Sequence, residues 1–266
     1  MKKLLVFCLV LVLVFIGCGK KEVKEEPLPK EKVTIKMYIT PQVPFSTILS
    51  DLEKLGDVNF NKVLDNKKQP APNTLDKIAF NLGAGVADAL VGLKAKNKIA
   101  LMNTTKELVK YAELLGVSAE FLRLSDSLGI LSEQGEWDEI EQKLEEYKVT
   151  ILDELYNMES YDSIILIQYG GWINGLQNVT AVLMEDIPDK EATKPLYNPT
   201  IITALLHDLP NLSDEDILER EYFISSLENV KSIKEIIFAS KDGYFTKEDV
   251  KQLHDLAAGI YTAFSK

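Results

Sequence analysis

The arrangement of apolar and polar residues divides the chain into three parts. Leu4 to Ile16 form a continuous apolar run of 13 residues, which is shorter than the roughly 20 needed to span a bilayer. Residues 19–32 carry charges of both signs, contain Pro27 and Pro29 and show no apolar periodicity, which predicts an extended tether. From residue 44 onward, apolar residues recur at helical spacing between glycines, prolines and capping residues.

The third part predicts a series of helices joined by short loops. Their expected ranges are 46–55, 74–94, 98–115, 118–134, 136–157, 161–184, 200–209, 213–227 with a further piece to Phe238, and 246–264. Residues 33–40 alternate like a strand, but no partner strand is evident, so we expect an extended segment lying on the helices. The prediction is an all-α fold: one domain of about nine or ten helices with a short extended N-terminal segment.

Two of the predicted helices carry an unusual number of glycines, and each interior glycine costs about 1 kcal/mol relative to alanine. In the helix at 74–94, the residues Asn81, Gly85, Asp88 and Gly92 share one face. In the helix at 161–184, the residues that share a face are Gln168, Gly171, Gly175 and Asn178. Because small residues on one stripe allow a close backbone approach, we predict that these two helices cross at the centre of the domain.

The first 18 residues have the pattern of a secretory signal. Lys2 and Lys3 precede the apolar run, and Gly17-Cys18 ends it. The segment Phe15-Ile16-Gly17-Cys18 resembles the lipobox of bacterial lipoproteins, which implies a lipid on Cys18 and cleavage just before it. We therefore predict a signal peptide at 1–17, a lipid-anchored flexible tether at 18–38 and a helical domain at 39–266.

The net charge and the cysteine content limit which kinds of partner and which covalent links are expected. Removing residues 1–17, which carry two lysines and no acid, takes the net charge from −11 to −13. Such a body is repelled by nucleic acids and by anionic lipid surfaces, so we expect no nucleic-acid partner and attachment to the membrane only through Cys18. Cys8 is lost with the signal, so Cys18 is the only mature cysteine and no intramolecular disulfide can form.

Motifs for metal binding are incomplete. His207-Asp208 and His254-Asp255 lie in identical Leu-His-Asp-Leu tetrapeptides, but a metal-dependent phosphohydrolase needs more than the two histidines of this chain. We expect both aspartates to be solvated. The segment 240–246 resembles part of an EF-hand loop, although Phe238 would occupy the first ligand position, so a turn followed by a helix cap explains it better. We predict no metal and no cofactor.

Signatures of common enzyme classes are also missing from the sequence: it has no GxSxG elbow, HExxH pair, phosphate loop or dinucleotide fingerprint. Asp88 is the most conspicuous acid, because it lies between two alanines on a glycine-rich helix. It is either a buried aspartate satisfied by neighbouring amides or hydroxyls, or part of a polar ligand-binding cleft with Asn81, Trp172 and Asn174.

The runs AFNLGAGVAD at 79–88 and GWINGL at 171–176, together with Leu115 to Ser118, resemble a group of uncharacterised helical envelope lipoproteins. This resemblance covers most of residues 39–185 and implies location and fold but no reaction. We expect an envelope lipoprotein that is anchored by its lipid, with the outer membrane favoured over the inner one. Its expected role is that of a non-catalytic binding or assembly module, with an envelope protein as the possible partner. The alternative is a small-ligand carrier or a carboxylate-dependent hydrolase.

Overall fold

The fold is all-α, as predicted. The structure is a computed structural model that describes residues 39–43, 45–56, 59–65, 70–117, 124–185 and 190–266, all within one compact unit, Met37–Lys266. In these ranges the regular structure is helical, apart from one isolated bridge between Lys241 and Tyr244. The predicted signal, tether and strand-like residues 33–38 lie outside the described residues.

The α-helices follow one another with short connections, and the described residues also form two 3₁₀ helices in the second half of the chain. The α-helices are α1 (Phe45–Glu53), α2 (Asn61–Asp65), α3 (Leu75–Lys94), α4 (Lys98–Leu114), α5 (Leu124–Gln134), α6 (Trp137–Asn157), α7 (Tyr161–Glu185), α8 (Pro199–Asp208), α9 (Glu215–Leu218), α10 (Glu221–Ala239) and α11 (Lys247–Phe264). The 3₁₀ helices are Lys190–Leu196 and Leu209–Asn211.

Local signals set most of these boundaries. Thr246 and Asp249 form the predicted capping box, in which each side chain accepts the other's backbone N–H at the start of α11. The boundaries predicted for residues 213–238 were wrong: the helix is interrupted at Glu219-Arg220, between α9 and α10, and α10 continues without a break through Leu227. At this interruption the guanidinium of Arg220 pairs with Asp76 on α3, a residue distant in sequence.

The two glycine-rich helices, α3 and α7, form the most extensive helix pair in the described fold, and they run parallel. A Cβ built on Gly83 would lie 1.8 Å from the carbonyl oxygen of Ile167, and one on Gly170 would lie 1.9 Å from that of Phe80. The backbones therefore touch where no other residue fits, and the predicted crossing is confirmed.

The predicted contact faces were only partly correct. Gly171 does face Gly83 across the pair, but a Cβ on Gly175 would have no atom within 4 Å. Gly85 and Gly92 face α4, where Leu108 and Leu101 are their neighbours. Spacing alone groups residues on a face but does not say which face meets which helix, and this is the reason for the error.

The α3–α7 pair lies between two apolar clusters. One cluster joins α3 and α7 to α8, α10 and α11, and it includes Phe80, Tyr169 and Phe264. The rings of Phe80 and Phe264 stack at 4.2 Å between centroids, and Tyr169 meets both edge-on. The other cluster joins α3 to α4, α5 and α6. Polar residues on α3 and α7 are consequently held between two packed layers.

Candidate functional site

Asp88 lies at the centre of a polar cluster that links α3 to α7. Its Oδ1 accepts hydrogen bonds from Nδ2 of Asn174 and Nδ2 of Asn178, both at 2.9 Å. The same amide of Asn174 also donates to the carbonyl of Ala84 at 2.6 Å. Burial and the nearby Asp88 carboxylate raise the pKa of Tyr261, on α11, to about 12. The half-buried carboxylate of Asp88 therefore links α3 to α7, and Tyr261 of α11 lies near it.

The four residues predicted as a site do not all come together. Asp88 and Asn174 are hydrogen-bonded, whereas Asn81 lies two helical turns earlier and donates to the carbonyls of Lys77 and Phe264, each at 2.8 Å. Asn81 thus ties the end of α11 to α3. Trp172 is half-buried and packs against the apolar cluster that contains Phe80. Two of the four form a polar centre, and the other two are explained by packing and helix docking.

Asn178 belongs to the cluster but was not among the predicted site residues. The i, i+4 spacing of Asn174 and Asn178 on α7 was the available signal, because it places both amides on one face. Asn178 is 2% exposed, and its Oδ1 has no hydrogen-bond partner. One buried acceptor therefore remains unused beside Asp88, which is costly in a protein interior.

Neither Asp88 nor Trp172 lines either of two cavities found among the described residues. The first, between α3, α4 and α6, has a volume of about 30 Å³, which is too small for a substrate or ligand. The second is an open surface cleft of about 490 Å³, lined by Asp51, Lys54, Glu191, Lys194, Pro195, Tyr197 and Asn198. Its lysines pair with acids three residues earlier in the chain, Lys54 with Asp51 and Lys194 with Glu191, each at 2.5 Å.

The two Leu-His-Asp-Leu tetrapeptides differ in their surroundings. Asp255 is exposed and pairs with Lys251 at 2.7 Å, as expected for a solvated aspartate. The same expectation was wrong for Asp208, which is 0% exposed. Its carboxylate accepts the amide N–H groups of Ile39 and Thr40 and the hydroxyl of Thr40. The partners come from a segment far away in sequence, so no local pattern marked them.

The segment at 240–246 forms a tight turn. Asp242 and Gly243 both have positive φ, and Asp249 is engaged in the capping box of α11. Within the described ranges, no group of three or more His, Cys, Asp or Glu side chains is arranged to hold a metal ion. Among the same residues, no helix is both long enough and apolar enough to cross a membrane.

Comparison with known proteins adds no relative. No family model, curated protein or solved structure matches the chain.

Replacing Asp88 with alanine tests whether the polar cluster is structural. We expect the free energy of unfolding to fall by about 1–3 kcal/mol, because the buried amides of Asn174 and Asn178 lose the acceptor that they share. Asp255→Ala is the matched control, since it removes an exposed ion pair and is expected to cost less than about 0.5 kcal/mol. Urea unfolding of both variants gives the comparison. Equal stabilities for the two variants would contradict a structural role for Asp88.

Proposed function

We propose that this chain is a lipid-anchored cell-envelope lipoprotein and that its helical body is a non-catalytic binding or assembly module. The observation that carries the proposal is the sequence that ends in Gly17-Cys18: a basic start, a short apolar run and a cysteine at the cleavage point. A thioether-linked lipid on Cys18, together with fatty acyl groups such as palmitate, would anchor the mature chain. The body would then face the periplasm or the outside, with the outer membrane favoured.

The non-catalytic part of the proposal is supported by the engagement of the central polar groups. Asp88 accepts from two asparagines, and Asn81 bonds to two backbone carbonyls and accepts from Ser265. Groups used in this way hold helices together and have no free geometry for acid–base work on a substrate. The buried Oδ1 of Asn178 is the one observation that favours the alternative, a polar ligand site beside Asp88.

Exposed aromatic side chains support a role in protein association. Tyr156 is 62% exposed and Tyr161 36% exposed, and their rings meet edge-on with centroids 5.5 Å apart. Met158, between them in sequence, is also exposed. Tyrosine and methionine are enriched at protein interfaces, where they contribute large contact areas.

Replacing Cys18 with serine tests the anchor. In cells fed labelled palmitate, we expect the wild-type chain to carry the label and to sediment with membranes. The Cys18→Ser chain should carry no label, and it should keep residues 1–17 because lipidation precedes cleavage in this class of protein. Cys8→Ser is the matched control and should behave as the wild type, since Cys8 lies within the signal. Labelling of Cys18→Ser, or its loss in Cys8→Ser, would refute the proposed anchor.

The binding role calls for a separate experiment. The native lipoprotein is crosslinked in its membrane and purified, and the crosslinked proteins are identified by mass spectrometry. We expect one envelope protein to be enriched, and the enrichment to fall when Tyr156 and Tyr161 are both replaced by serine. Recovery of lipid and lipoprotein-sorting proteins alone would contradict the assembly role.

A further inference from the structure

The carboxylate of Asp208 holds the first described segment of the chain, residues 39–43, against the end of α8. Its Oδ1 and Oδ2 both lie 3.0 Å from the amide nitrogen of Ile39, and Oδ2 lies 2.7 Å from that of Thr40. The hydroxyl of Thr40 donates to Oδ2 at 2.5 Å, and Nδ1 of His207 lies 2.8 Å from Oδ1. One side chain therefore binds two successive backbone amides and a hydroxyl.

This arrangement compensates a charge that burial alone would disfavour. Asp208 is 0% exposed, and burial by itself raises the pKa of its carboxyl. The hydrogen bonds from Thr40, His207 and the two amides outweigh that effect and hold the pKa below its ordinary value. Asp208 thus remains charged at neutral pH, and charge-assisted hydrogen bonds are stronger than neutral ones.

Among the described residues, few other contacts hold residues 39–43. Ile39 is 48% exposed, Pro41 and Gln42 are exposed, and Thr40 and Val43 are half-buried. A second polar contact comes from α6, where Nζ of Lys148 donates to the carbonyl of Val43 at 2.9 Å. Because apolar burial is small here, polar contacts retain the segment, and among the described residues Asp208 provides most of them.

We propose that Asp208 is a latch that fixes the point at which the membrane tether leaves the folded body. The proposal rests on the proposed function in one respect, namely that residues 18–38 lead to a lipid anchor. As the flexible tether that the sequence predicts, the 20 residues between Cys18 and Ile39 would span on average about 25 Å with the latch closed. With the latch open, the residues before Phe45 join the tether and add up to about 20 Å of extended chain.

The latch allows the anchored body to lie at two different distances from the membrane while its helical structure stays the same. In the closed state, the end of α8 is kept near the point where the tether starts. In the open state, the body can stand farther from the lipid surface and turn more freely. Among the described contacts, the exchange between the two states breaks the hydrogen bonds at Asp208 and Lys148, and residues 39–43 bury little apolar surface.

Hydrogen exchange on the full-length protein in detergent micelles tests the latch. In Asp208→Asn the side chain loses its charge and presents amide hydrogens toward the backbone N–H donors. We expect the amides of Ile39 and Thr40 to exchange at least ~10-fold faster than in the wild type. Thr40→Val removes only the hydroxyl bond and should give a smaller increase at the same two amides.

Asp255→Asn is the matched control, because it changes the same residue in the same tetrapeptide at a solvated position. It should leave the exchange of Ile39 and Thr40 unchanged. Unchanged protection of these two amides in Asp208→Asn would overturn the proposal. Acceleration of the central α7 amides by the same factor would overturn it too, since Asp208 would then support the whole fold. The result does not depend on lipidation, which the Cys18→Ser experiment tests separately.

Discussion

Gly170→Ala is expected to lower the free energy of unfolding by about 3 kcal/mol or more, which is the upper end of the usual cost of overpacking. The added Cβ would lie 1.9 Å from the carbonyl oxygen of Phe80 and 2.7 Å from its carbonyl carbon. These are backbone atoms of a packed helix, so no side chain can rotate to make room. Relief requires α3 and α7 to separate along their shared contact, which loosens both apolar clusters. For a chain of this size we expect the melting temperature to fall by about 6–12 °C.

Gly175→Ala is the matched control on the same helix. A Cβ there has no atom within 4 Å, so the substitution adds no clash. It replaces a glycine inside a helix, and we expect it to stabilise the protein by about 0.5–1 kcal/mol. Thermal unfolding followed by circular dichroism compares the two variants directly. Opposite signs are expected, and a loss of stability in Gly175→Ala equal to that in Gly170→Ala would contradict the contact assigned to Gly170.

Arg220→Met is expected to destabilise the protein by about 2–3 kcal/mol, because it leaves a buried carboxylate without its counter-ion. The side chain of Asp76 is 3% exposed, and it pairs with the guanidinium of Arg220 at 3.0 Å. The hydroxyl of Tyr222 also donates to Asp76 and remains in the variant. The loss of stability should therefore be smaller than for a buried carboxylate with no partner at all. The same contact joins the start of α3 to the start of α10, so its loss also weakens the docking of α10.

Two further variants separate the ion pair from other effects of the substitution. Lys251→Met removes one partner of an exposed pair on α11 and should cost less than about 0.5 kcal/mol. The double variant Asp76→Leu, Arg220→Met removes both buried charges and should recover part of the stability lost in Arg220→Met. Urea unfolding of the set provides the measurement. If the double variant is no more stable than Arg220→Met, the uncompensated charge is not the cause of the loss.

The helices were predictable because their signals are local. The ranges 98–115, 136–157 and 161–184 come within a residue or two of the observed helices, and the capping box at Thr246 was read directly from residue types. Helix α2, a single short turn, was missed because it is too brief to show periodicity. The break at Glu219-Arg220 was also missed, and Asp76, which pairs with Arg220 there, is distant in sequence.

The candidate site was predictable only in outline. Three glycines in each of two helices indicated a close crossing, and the crossing exists. Its actual contacts are at Gly83 and Gly170, and the sequence carries no information on which helix each face meets. Asp88 and Asn174 proved to be partners, whereas Asn81 and Trp172 belong to other contacts. Side chains that meet across helices depend on how the helices dock, which spacing within one helix does not describe.

The two identical Leu-His-Asp-Leu tetrapeptides show which features the sequence determines and which features only the tertiary structure determines. The sequence by itself determined an all-α fold, the ends of most helices and the pattern that predicts a lipid on Cys18, because each of these depends on neighbouring residues. Only the tertiary structure decided that Asp208 is buried and binds the amides of Ile39 and Thr40, while Asp255 stays in solvent. Identical residues differ here because burial and hydrogen-bond partners come from packing between distant segments.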